Sequence, residues 1–372
     1  MRLTVNRASF LKALTIVNVA IGAKSPTPAF LNFKLTMSED GLEILGSDND
    51  LTIVHVLPIQ EGDKTLIENY TEGSILITAK LLLELIRQLS EEKVTLETID
   101  DVMVNIYDNK SNFKLNAMRS EEYPDLDLST IGEEVTFKIE DFKKIISQTA
   151  FAASVKETRP ILTAINAKSD GEVAEFVATD SYRLAKKTCS LSLHPFEANI
   201  PVKTLNEVSK LLEGEDVTLY ISNNKVIFAF ANTKVYSKLI MGDFPKTSRM
   251  IPASYPYVLK VNANEFINAM QRVSILAVDR DKVVKLSLDD NKVEIMSKNE
   301  QVGSANEQIQ LFEYQGGRFD ISFDVNYVVD AIKATQSEDV IISFAGEMSA
   351  FRVTTESDPT ISQIITPVRS YY

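Results

Sequence analysis

A short stretch in the middle of the chain, ATDSYRLA at residues 178–185, gathers side chains that could do chemistry. Its polar members are Thr179, Asp180, Ser181, Tyr182 and Arg183. Hydroxyls, a carboxylate and a guanidinium crowded together could begin a hydrolytic site, but a hydroxyl nucleophile needs a base to activate it. The chain has only two histidines, His55 and His194, and neither is near this stretch in sequence. The common phosphate-loop, serine-hydrolase and zinc-protease motifs are also absent, so catalysis has little support.

The composition is that of an ordinary globular protein. The 372 residues are 44% hydrophobic and 24% charged, and at roughly 100–200 residues per domain the length suggests two to four domains. No apolar run is long enough to span a bilayer, and the N-terminus does not resemble a signal peptide. The single cysteine, Cys189, excludes an internal disulfide and favours a cytoplasmic location. With two histidines and no CxxC pair, a zinc site is not expected. Carboxylate-only Mg or Ca sites stay open, but the acidic pairs read as solvated turns, so we expect no metal and no cofactor.

The sequence repeats itself at a fixed interval. Three helix-like segments, AKLLLELIRQL, VKTLNEVSKLL and DVNYVVDAIKA, are each followed by an extended run. Those runs begin at Val94, Val217 and Val340, which lie 123 residues apart in both steps. A second set of helix-like segments, SFLKALTIVNVA, DFKKIISQTAFA and EFINAMQRVSIL, lies in the other half of each third. Such periodicity is typical of a chain built from repeated structural units.

The segments between the helices read as antiparallel hairpins, because apolar and polar residues alternate between turns rich in Asn, Asp and Gly. We therefore predict an α+β protein of three similar domains, each a twofold repeat of strand, helix and about three strands. Pro, Ser and Gly gather near residues 126–134 and 250–256, where linkers are expected. The predicted domains are residues 1–130, 131–253 and 254–372.

Charge is unevenly divided along the sequence. The net charge of −13 argues against nucleic-acid binding if it is spread evenly. The six helical segments, however, carry a net charge of +4, so the rest of the chain carries −17. This excess indicates either a face that tolerates DNA or simply a solvated face, since Lys and Arg are good helix formers.

Four features together resemble one known family. They are the threefold repeat, the TD-x-x-RLA stretch, the GDFP segment at residues 242–245 and the TPVR segment at residues 366–369. Over its whole length the chain resembles the bacterial DNA polymerase III beta subunit, the replicative sliding clamp. The resemblance implies the DNA clamp fold and a closed ring of two subunits joined head to tail, with six helices of each subunit lining the inside.

The ring implied by the resemblance has dimensions that suit DNA. Twelve helices spaced at roughly 8–10 Å would leave an opening of about 20–30 Å, which accommodates a duplex with water around it. The resemblance therefore implies a non-catalytic processivity factor for DNA replication that holds duplex DNA by topology, without sequence specificity. Its implied partners are the polymerase catalytic subunit, the clamp loader and other proteins that carry a clamp-binding motif.

The resemblance also implies a peptide-binding pocket between the second and third domains. Its residues would be Leu162, Thr179, Tyr182, Arg183, Leu184, Pro245, Arg249, Met250, Ile364, Ile365, Pro367, Val368 and Arg369. Apolar side chains would receive Leu or Phe anchors of a partner, while Arg183 and Arg249 would meet acidic or carbonyl groups. Alternatively, these segments are an ordinary edge strand and a buried strand. The equivalent stretches at residues 46–52 and 296–302 lack the Arg-Leu pair, which favours the pocket. Many relatives carry Gly-His where this chain has Ser181 and Tyr182.

Two further sets of residues follow from the resemblance. DNA contacts would come from Lys24, Lys156, Arg159, Lys203, Arg280 and Lys282. Cations near helix ends can reach phosphates, although they can equally complement the helix dipole. The dimer contact would involve Phe113, Leu115, Ile275 and Leu276, which could instead pack inside the subunit.

Two other classes of function stay open on the sequence alone. One is a repeat-built enzyme that uses the cluster of Thr179, Asp180 and Arg183. The other is a scaffold that binds only proteins.

Overall fold

The computed structural model describes residues 1–100, 102–190, 195–277 and 282–369. These residues form two compact units. The first unit combines Met1–Phe142 with Asn206–Leu239, and the second combines Lys143–Leu205 with the chain from Ile240 onwards.

Six α-helices occur in the described residues, and each overlaps a helix that the sequence predicts. They are α1 (Arg7–Asn18), α2 (Ala79–Gln88), α3 (Ile139–Thr149), α4 (Val202–Leu211), α5 (Ala263–Val273) and α6 (Val325–Thr335). Side-chain caps fix the starts of three of them. Asn6 accepts a hydrogen bond from the Ser9 amide at 3.1 Å, and Asn262 and Asp324 cap α5 and α6 in the same way. Such caps satisfy amide groups that the helix leaves without a partner.

Twenty-eight strands are described, and most follow the alternating patterns of the sequence. In the first third they are β1 (Arg2–Asn6), β2 (Asn32–Ser38), β3 (Gly41–Ser47), β4 (Leu51–Leu57), β5 (Gln60–Glu61), β6 (Lys64–Thr65), β7 (Ile67–Thr71), β8 (Gly73–Thr78), β9 (Lys93–Asp100), β10 (Met103–Tyr107) and β11 (Asn112–Asn116). In the middle third they are β12 (Glu133–Lys138), β13 (Ala164–Ser169), β14 (Val173–Thr179), β15 (Arg183–Ser190), β16 (Phe196–Pro201), β17 (Asp216–Ile221), β18 (Lys225–Phe230) and β19 (Thr233–Lys238). In the last third they are β20 (Tyr257–Asn262), β21 (Val283–Asp289), β22 (Lys292–Asn299), β23 (Gly303–Ile309), β24 (Phe312–Gln315), β25 (Phe319–Asp324), β26 (Asp339–Phe344), β27 (Phe351–Thr354) and β28 (Ile361–Ile365).

The predicted unit of one strand, one helix and three strands occurs six times, and we number these repeats I to VI. Their helices are α1 to α6 in order, and their last strands are β4, β11, β15, β19, β23 and β28. The additional strands are the short β5–β6 pair, β7 beside β1, and β24 beside β20. The helices α1, α3 and α5 each carry one phenylalanine that is at most 1% exposed; they are Phe10, Phe142 and Phe266. The repeat inferred from sequence is therefore confirmed.

Each unit contains two larger sheets. In the first unit the strand orders are β11-β10-β9-β1-β7 and β12-β17-β18-β19-β4-β3-β2-β8. In the second unit they are β16-β13-β14-β15-β28-β27-β26-β20-β24 and β23-β22-β21-β25. All the pairings between these strands are antiparallel, as the hairpin-rich sequence predicts. Helices α5 and α6 pack on the sheets of the second unit through a large apolar core that includes Phe266, Phe323 and Phe344.

Candidate peptide-docking site

The polar side chains of ATDSYRLA build a tight turn between β14 and β15. The Asp180 Oδ1 atom accepts hydrogen bonds from the amides of Tyr182 at 2.9 Å and Arg183 at 3.0 Å. The Thr179 hydroxyl donates to the Arg183 carbonyl at 2.6 Å and accepts from the Ser181 amide at 3.1 Å. These local bonds are how Asx and hydroxyl side chains stabilise turns.

The same turn occurs in the sister repeats. Asp48 accepts from the amides of Asp50 at 3.0 Å and Leu51 at 2.8 Å, between β3 and β4. Between β22 and β23, Asn299 accepts from the two equivalent amides at 2.9 and 3.1 Å. Residue-by-residue alignment of the stretches 178–184 and 296–302 would put Lys298 at this position, whereas the structure puts Asn299 there. The same capping hydrogen bonds recur in the last hairpin of repeats I, III and V. The carboxylate of Asp180 therefore stabilises the turn and is not a catalytic group.

Ser181 adopts a backbone conformation that favours glycine. Its φ is +82°, and Asn49 at the equivalent place in the first hairpin has φ +80°. Asparagine tolerates this region better than serine. The Ser181 hydroxyl also accepts a hydrogen bond from the Arg159 guanidinium at 3.2 Å.

Arg183 is held inside the protein. Its Nε atom lies 3.1 Å from the Asp180 Oδ2 atom, and its Nη1 atom lies 2.6 Å from the Asp330 Oδ2 atom on α6. The guanidinium carbon also lies 4.7 Å from the ring centre of Tyr327 and 5.4 Å from that of Phe151. Only 14% of the side chain is exposed. The guanidinium is thus largely engaged within the chain, and its contact with acidic or carbonyl groups of a partner stays a prediction. Its partners come from segments far away in sequence, which local motifs could not reveal.

A small apolar cluster lies beside this turn, apart from the main core. Val177, Leu184 and Ile364 form its buried floor, and Leu184 faces Ile364 across the β15–β28 pair. Partly buried side chains pack against the floor; they are Phe244, Met250, Ile251 and Ala350. Half-buried apolar groups over a buried floor are the surface that an apolar peptide anchor needs.

The structure brings three of the thirteen residues predicted for the pocket together in the apolar cluster. Leu184, Ile364 and Met250 belong to the apolar cluster. Ile365 does not, because alternate side chains of a strand point to opposite faces, and it packs instead into the large core that contains α5 and α6. Leu162 and Thr179 are buried, each 2% exposed. Five further candidates are half-buried or exposed; they are Pro245, Arg249, Pro367, Val368 and Arg369.

The sequence reasoning missed four members of the cluster, which are Val177, Phe244, Ile251 and Ala350. Val177 lies two residues before Thr179 on β14, so period-two alternation could have placed it on the same face. Phe244 lies inside the GDFP segment that was already singled out, and Ile251 follows the short 3-10 helix Thr247–Met250. These two give no periodic signal, because they lie outside the helices and strands.

The remaining candidates lie on the surface to different extents. The predicted DNA-contacting side chains within the described chain are exposed; they are Lys24, Lys156, Arg159, Lys203 and Lys282. Arg280 lies outside the described residues. Phe113 on β11 is 39% exposed and Ile275, after α5, is 74% exposed. Leu115 and Leu276 are half-buried.

The strand pair β4–β19 of the first unit is the counterpart of β15–β28. His55 pairs with Thr233 across it, and their side chains meet at 2.8 Å between Nδ1 and Oγ1. Burial lowers the pKa of His55 from 6.5 to about 4, and the Lys12 ammonium adds to this shift. A cavity of about 120 Å³ lies beside this histidine.

A chain of three tandem domains, each with two strand–helix–strand repeats, has the architecture of a DNA clamp. Family models of the DNA polymerase III beta subunit match the chain in three parts: the N-terminal domain at residues 1–127, the central domain at 136–246 and the C-terminal domain at 248–369. The chain belongs to the DNA polymerase III beta subunit family, whose members are the bacterial sliding clamps. It is a DNA sliding clamp, a processivity factor rather than a catalytic subunit.

Individual relatives agree with this assignment. The chain is 33% identical to the beta sliding clamp of Bacillus subtilis and 30% identical to that of Halalkalibacterium halodurans, over the full length of both proteins in each comparison. Its structure matches the crystal structure of the Bacillus subtilis sliding clamp with a TM-score of 0.96, and that of the Streptococcus pyogenes beta subunit, 28% identical, with 0.94. Both matches cover 100% of each chain. The prediction of a sliding clamp is confirmed, and the alternative of a repeat-built enzyme was wrong.

None of the described helices has the length and apolar character needed to cross a membrane.

Proposed function

We propose that two copies of this chain join head to tail into a closed ring around duplex DNA, and that the ring tethers replication proteins through the apolar cluster beside ATDSYRLA. Sliding clamps bind DNA and the replicative polymerase as a family. The observation that carries the proposal for this chain is a rule in how the last strands of the repeats pair.

The pairing rule joins each odd-numbered repeat to the repeat three places later. The last strand of repeat I, β4, pairs with the last strand of repeat IV, β19. The last strand of repeat III, β15, pairs with that of repeat VI, β28. Within the described residues, β23 of repeat V and β11 of repeat II each have a partner on one side only. The same rule therefore pairs β23 with β11 of a second copy, and two such contacts close a ring.

The rule also fixes a register for the contact between copies. Leu115 pairs with β10 at the point where, in the other even-numbered repeats, Ser237 pairs with β18 and Ile365 pairs with β27. These three residues therefore hold equivalent positions on β11, β19 and β28. Ser237 faces Leu51, and Ile365 faces Arg183. By the same geometry, Leu115 should face Gly303 of the second copy, and Phe113 should face Ala305.

A paired-cysteine variant tests the ring and its register together. The double variant Phe113→Cys and Ala305→Cys would place a cysteine of one copy opposite a cysteine of the other. Facing Cα atoms of an antiparallel pair lie about 4.5–5.5 Å apart, a distance that suits a disulfide. We expect mild oxidation to give a covalent ring that stays on nicked circular DNA at high salt and slides off once the circle is cut.

A register control sharpens the test. The variant Phe113→Cys with Ser304→Cys moves one cysteine by a single residue, which turns it to the other face of the strand. We expect little cross-linking from it. Equal cross-linking of both variants would contradict the register. If the chain stays monomeric at micromolar concentration, the ring is refuted and a scaffold that binds only proteins is the remaining function.

We propose that partner peptides insert apolar anchors over Val177, Leu184 and Ile364. The support is the half-exposed apolar rim on this floor and the exposed cations nearby, Arg249 and Arg369. Met250→Glu should weaken peptide binding at least tenfold while leaving the cross-linked ring intact, because a carboxylate would be buried against the floor. The matched control is Met103→Glu, at a half-buried position on β10 of the first unit; an equal loss in both variants would refute the site.

We propose that the five exposed cations of the predicted DNA-contacting set meet phosphates inside the ring. None of the five forms an ion pair with another described residue, so their charge is available to DNA. Replacing Lys24, Lys156 and Lys203 together with alanine should reduce the salt dependence of DNA binding, since each phosphate contact adds roughly one unit to the slope. The matched control replaces Lys93 and Lys110, whose ammonium groups already pair with Glu68 and Glu91. An unchanged slope in the triple variant would refute the contact.

We further propose domain boundaries at residues 1–130, 131–253 and 254–372, and a cytoplasmic location. The three family-model matches support these boundaries, since they separate at 128–135 and at 247. The single cysteine supports the location. The clamp loader and other proteins with clamp-binding motifs are proposed to share the same docking site as the polymerase.

A further inference from the structure

The cavity beside His55 lies in the first unit, where repeats I and IV meet, and its volume is about 120 Å³. Its walls come from α1, β4, the turn between β18 and β19, and the residues that end and follow α4. The apolar part of the lining includes Ile16, Leu66, Leu211 and Phe230. Since one water occupies roughly 10–15 Å³ of such space, the cavity has room for a molecule of about five to eight heavy atoms.

The equivalent place in the second unit is filled by an ion pair. His55 lies seven residues after Asp48, the cap of the turn before β4. Lys187 lies seven residues after the matching cap Asp180, so the two side chains hold equivalent positions on β4 and β15. The Lys187 ammonium lies 2.6 Å from the Asp358 carboxylate, and the lysine side chain is only 11% exposed.

The first unit has neither half of this ion pair. Asp358 lies in a connection of six residues between β27 and β28, whereas β18 and β19 are joined by only two residues. The imidazole of His55 is shorter than a lysine side chain and carries no charge at neutral pH, because burial and the Lys12 ammonium lower its pKa to about 4. The first unit therefore leaves open the space that an ammonium group and its partner occupy in the second unit.

The charges around the cavity favour a cation. The Lys12 ammonium lies 2.8 Å from the Glu213 carboxylate, and both side chains are more than half exposed. Glu61 also lines the cavity and forms no ion pair with another described residue, so one negative charge is left over and attracts a cation. His55 adds a neutral acceptor. Its Nδ1 atom lies 2.8 Å from the Thr233 hydroxyl, and its Nε2 atom has no hydrogen-bond partner among the described residues.

We propose that this cavity binds a primary alkylammonium group, which takes the place that the Lys187 side chain has in the second unit. The ammonium lies among Glu61, Glu213 and the His55 imidazole, and the alkyl chain packs on the apolar walls. A free alkylamine and the lysine side chain of a partner protein share this chemistry. The occupant contacts residues of both repeat I and repeat IV, so its binding stabilises the first unit.

The probe that tests this proposal is n-butylamine, because it has the atoms of a lysine side chain. The chain has two histidines, so the full-length His194→Gln protein has a single imidazole, and its NMR signals report on the cavity. We expect n-butylamine at neutral pH to shift these signals to saturation, with a dissociation constant on the order of 1–10 mM for so small a ligand. Two isosteric controls, uncharged n-butanol and anionic butyrate, should bind at least tenfold more weakly. If either control binds as tightly as the amine, or if the amine leaves the signals unchanged, the proposal is wrong.

Substitutions in the lining locate the bound amine. Glu61→Gln should weaken n-butylamine binding at least threefold. The matched control Glu84→Gln, an exposed carboxylate of α2 outside the lining, should leave it unchanged. His55→Lys supplies an ammonium from within the chain, as Lys187 does, and should abolish binding of n-butylamine, whereas His55→Gln retains a neutral acceptor and should keep it. Saturation-transfer NMR of the amine measures both His55 variants, and equal binding by the two would place the amine elsewhere and refute the site.

Two further ligands separate the two sources of the ammonium group. A lysine blocked at both ends, N-acetyl-lysine methylamide, carries the peptide groups that a partner protein would bring, and 1,4-diaminobutane does not. If the blocked lysine binds as tightly as n-butylamine, the cavity admits a partner's side chain. If only the free amines bind, the occupant is a small molecule.

Discussion

Replacing Arg183 with alanine removes contacts to four side chains at once. The guanidinium pairs with Asp180 and Asp330, and it packs on the rings of Phe151 and Tyr327. We therefore expect a loss of stability in the second unit before any question of partner binding arises. This structural role is separate from the one that the resemblance implies, in which Arg183 meets acidic or carbonyl groups of a bound peptide.

The size of the loss follows from the exposure of each partner. The pair with Asp180 is largely shielded, with side-chain exposures of 14% and 15%, so a charge-assisted bond there is worth about 1.5–2 kcal/mol. Asp330 is 43% exposed and can hydrate, which limits its share to about 0.5 kcal/mol. Two partly shielded cation–π contacts add about 1 kcal/mol. Asp180 keeps its two backbone donors, so no unsatisfied carboxylate remains, and the total is about 3 kcal/mol.

Hydrogen exchange of the β15 and β28 amides, read by mass spectrometry, measures this loss locally. About 3 kcal/mol corresponds to roughly a hundredfold faster exchange wherever the amides exchange through opening of the unit. Arg183→Lys is the matched control, since it keeps the charge but loses the planar fork, and it should accelerate exchange by about tenfold. If Arg183→Ala accelerates exchange less than fivefold, or no more than Arg183→Lys does, the proposed structural role of the guanidinium is wrong.

Three further substitutions test separate features of the fold. Ser181→Gly should stabilise the protein by about 0.5–1 kcal/mol because φ is +82° there. This gain should exceed that of the control Asn49→Gly, at φ +80°; if Ser181→Gly instead destabilises the protein more than Asn49→Gly does, the backbone of Ser181 is not strained. Gly41→Ala should lower the free energy of unfolding by more than about 2 kcal/mol, because the new Cβ would lie 2.4 Å from a backbone oxygen. The control Gly62→Ala, where the new Cβ would meet open space, should lower it by about 1 kcal/mol. Denaturant unfolding measures both. His55, whose pKa falls from 6.5 to about 4 on folding, should make the free energy of unfolding decrease as pH falls through this window, because the unfolded chain binds a proton that the folded one refuses; an unchanged slope in His55→Asn would contradict this.

The repeat and its helices were predictable because they depend on short-range periodicity. The valines at 94, 217 and 340 and the phenylalanines at the starts of the helices are buried in the same way in every third. A buried residue in a helix or strand leaves a regular trace in sequence, since the 3.6- and 2-residue periods are properties of the backbone itself. Three copies at one interval strengthened each of these predictions.

The composition of the docking site was only partly predictable, for a different physical reason. Ile364 and Ile365 are chemically alike and adjacent, yet they enter different clusters. Which of the two faces the site depends on the β15–β28 pairing, which joins strands about 180 residues apart. Likewise, nothing near Arg183 in sequence points to Asp330, and only the packing of α6 on β28 and its neighbours brings them together.

The last hairpins of repeats I, III and V share one capping device but differ in the side chains that follow the cap. The side chain that caps each turn, Asp48, Asp180 or Asn299, satisfies two amides and leaves the next positions free to vary. In repeat I those positions hold Asp50 and Leu51, and in repeat III they hold Tyr182 and Arg183. Because the turn's own bonds come from the cap, the residues after it can be chosen for what they touch. In repeat III they reach Tyr327 and Asp330 on α6, and this is the turn beside which we propose that partner peptides dock.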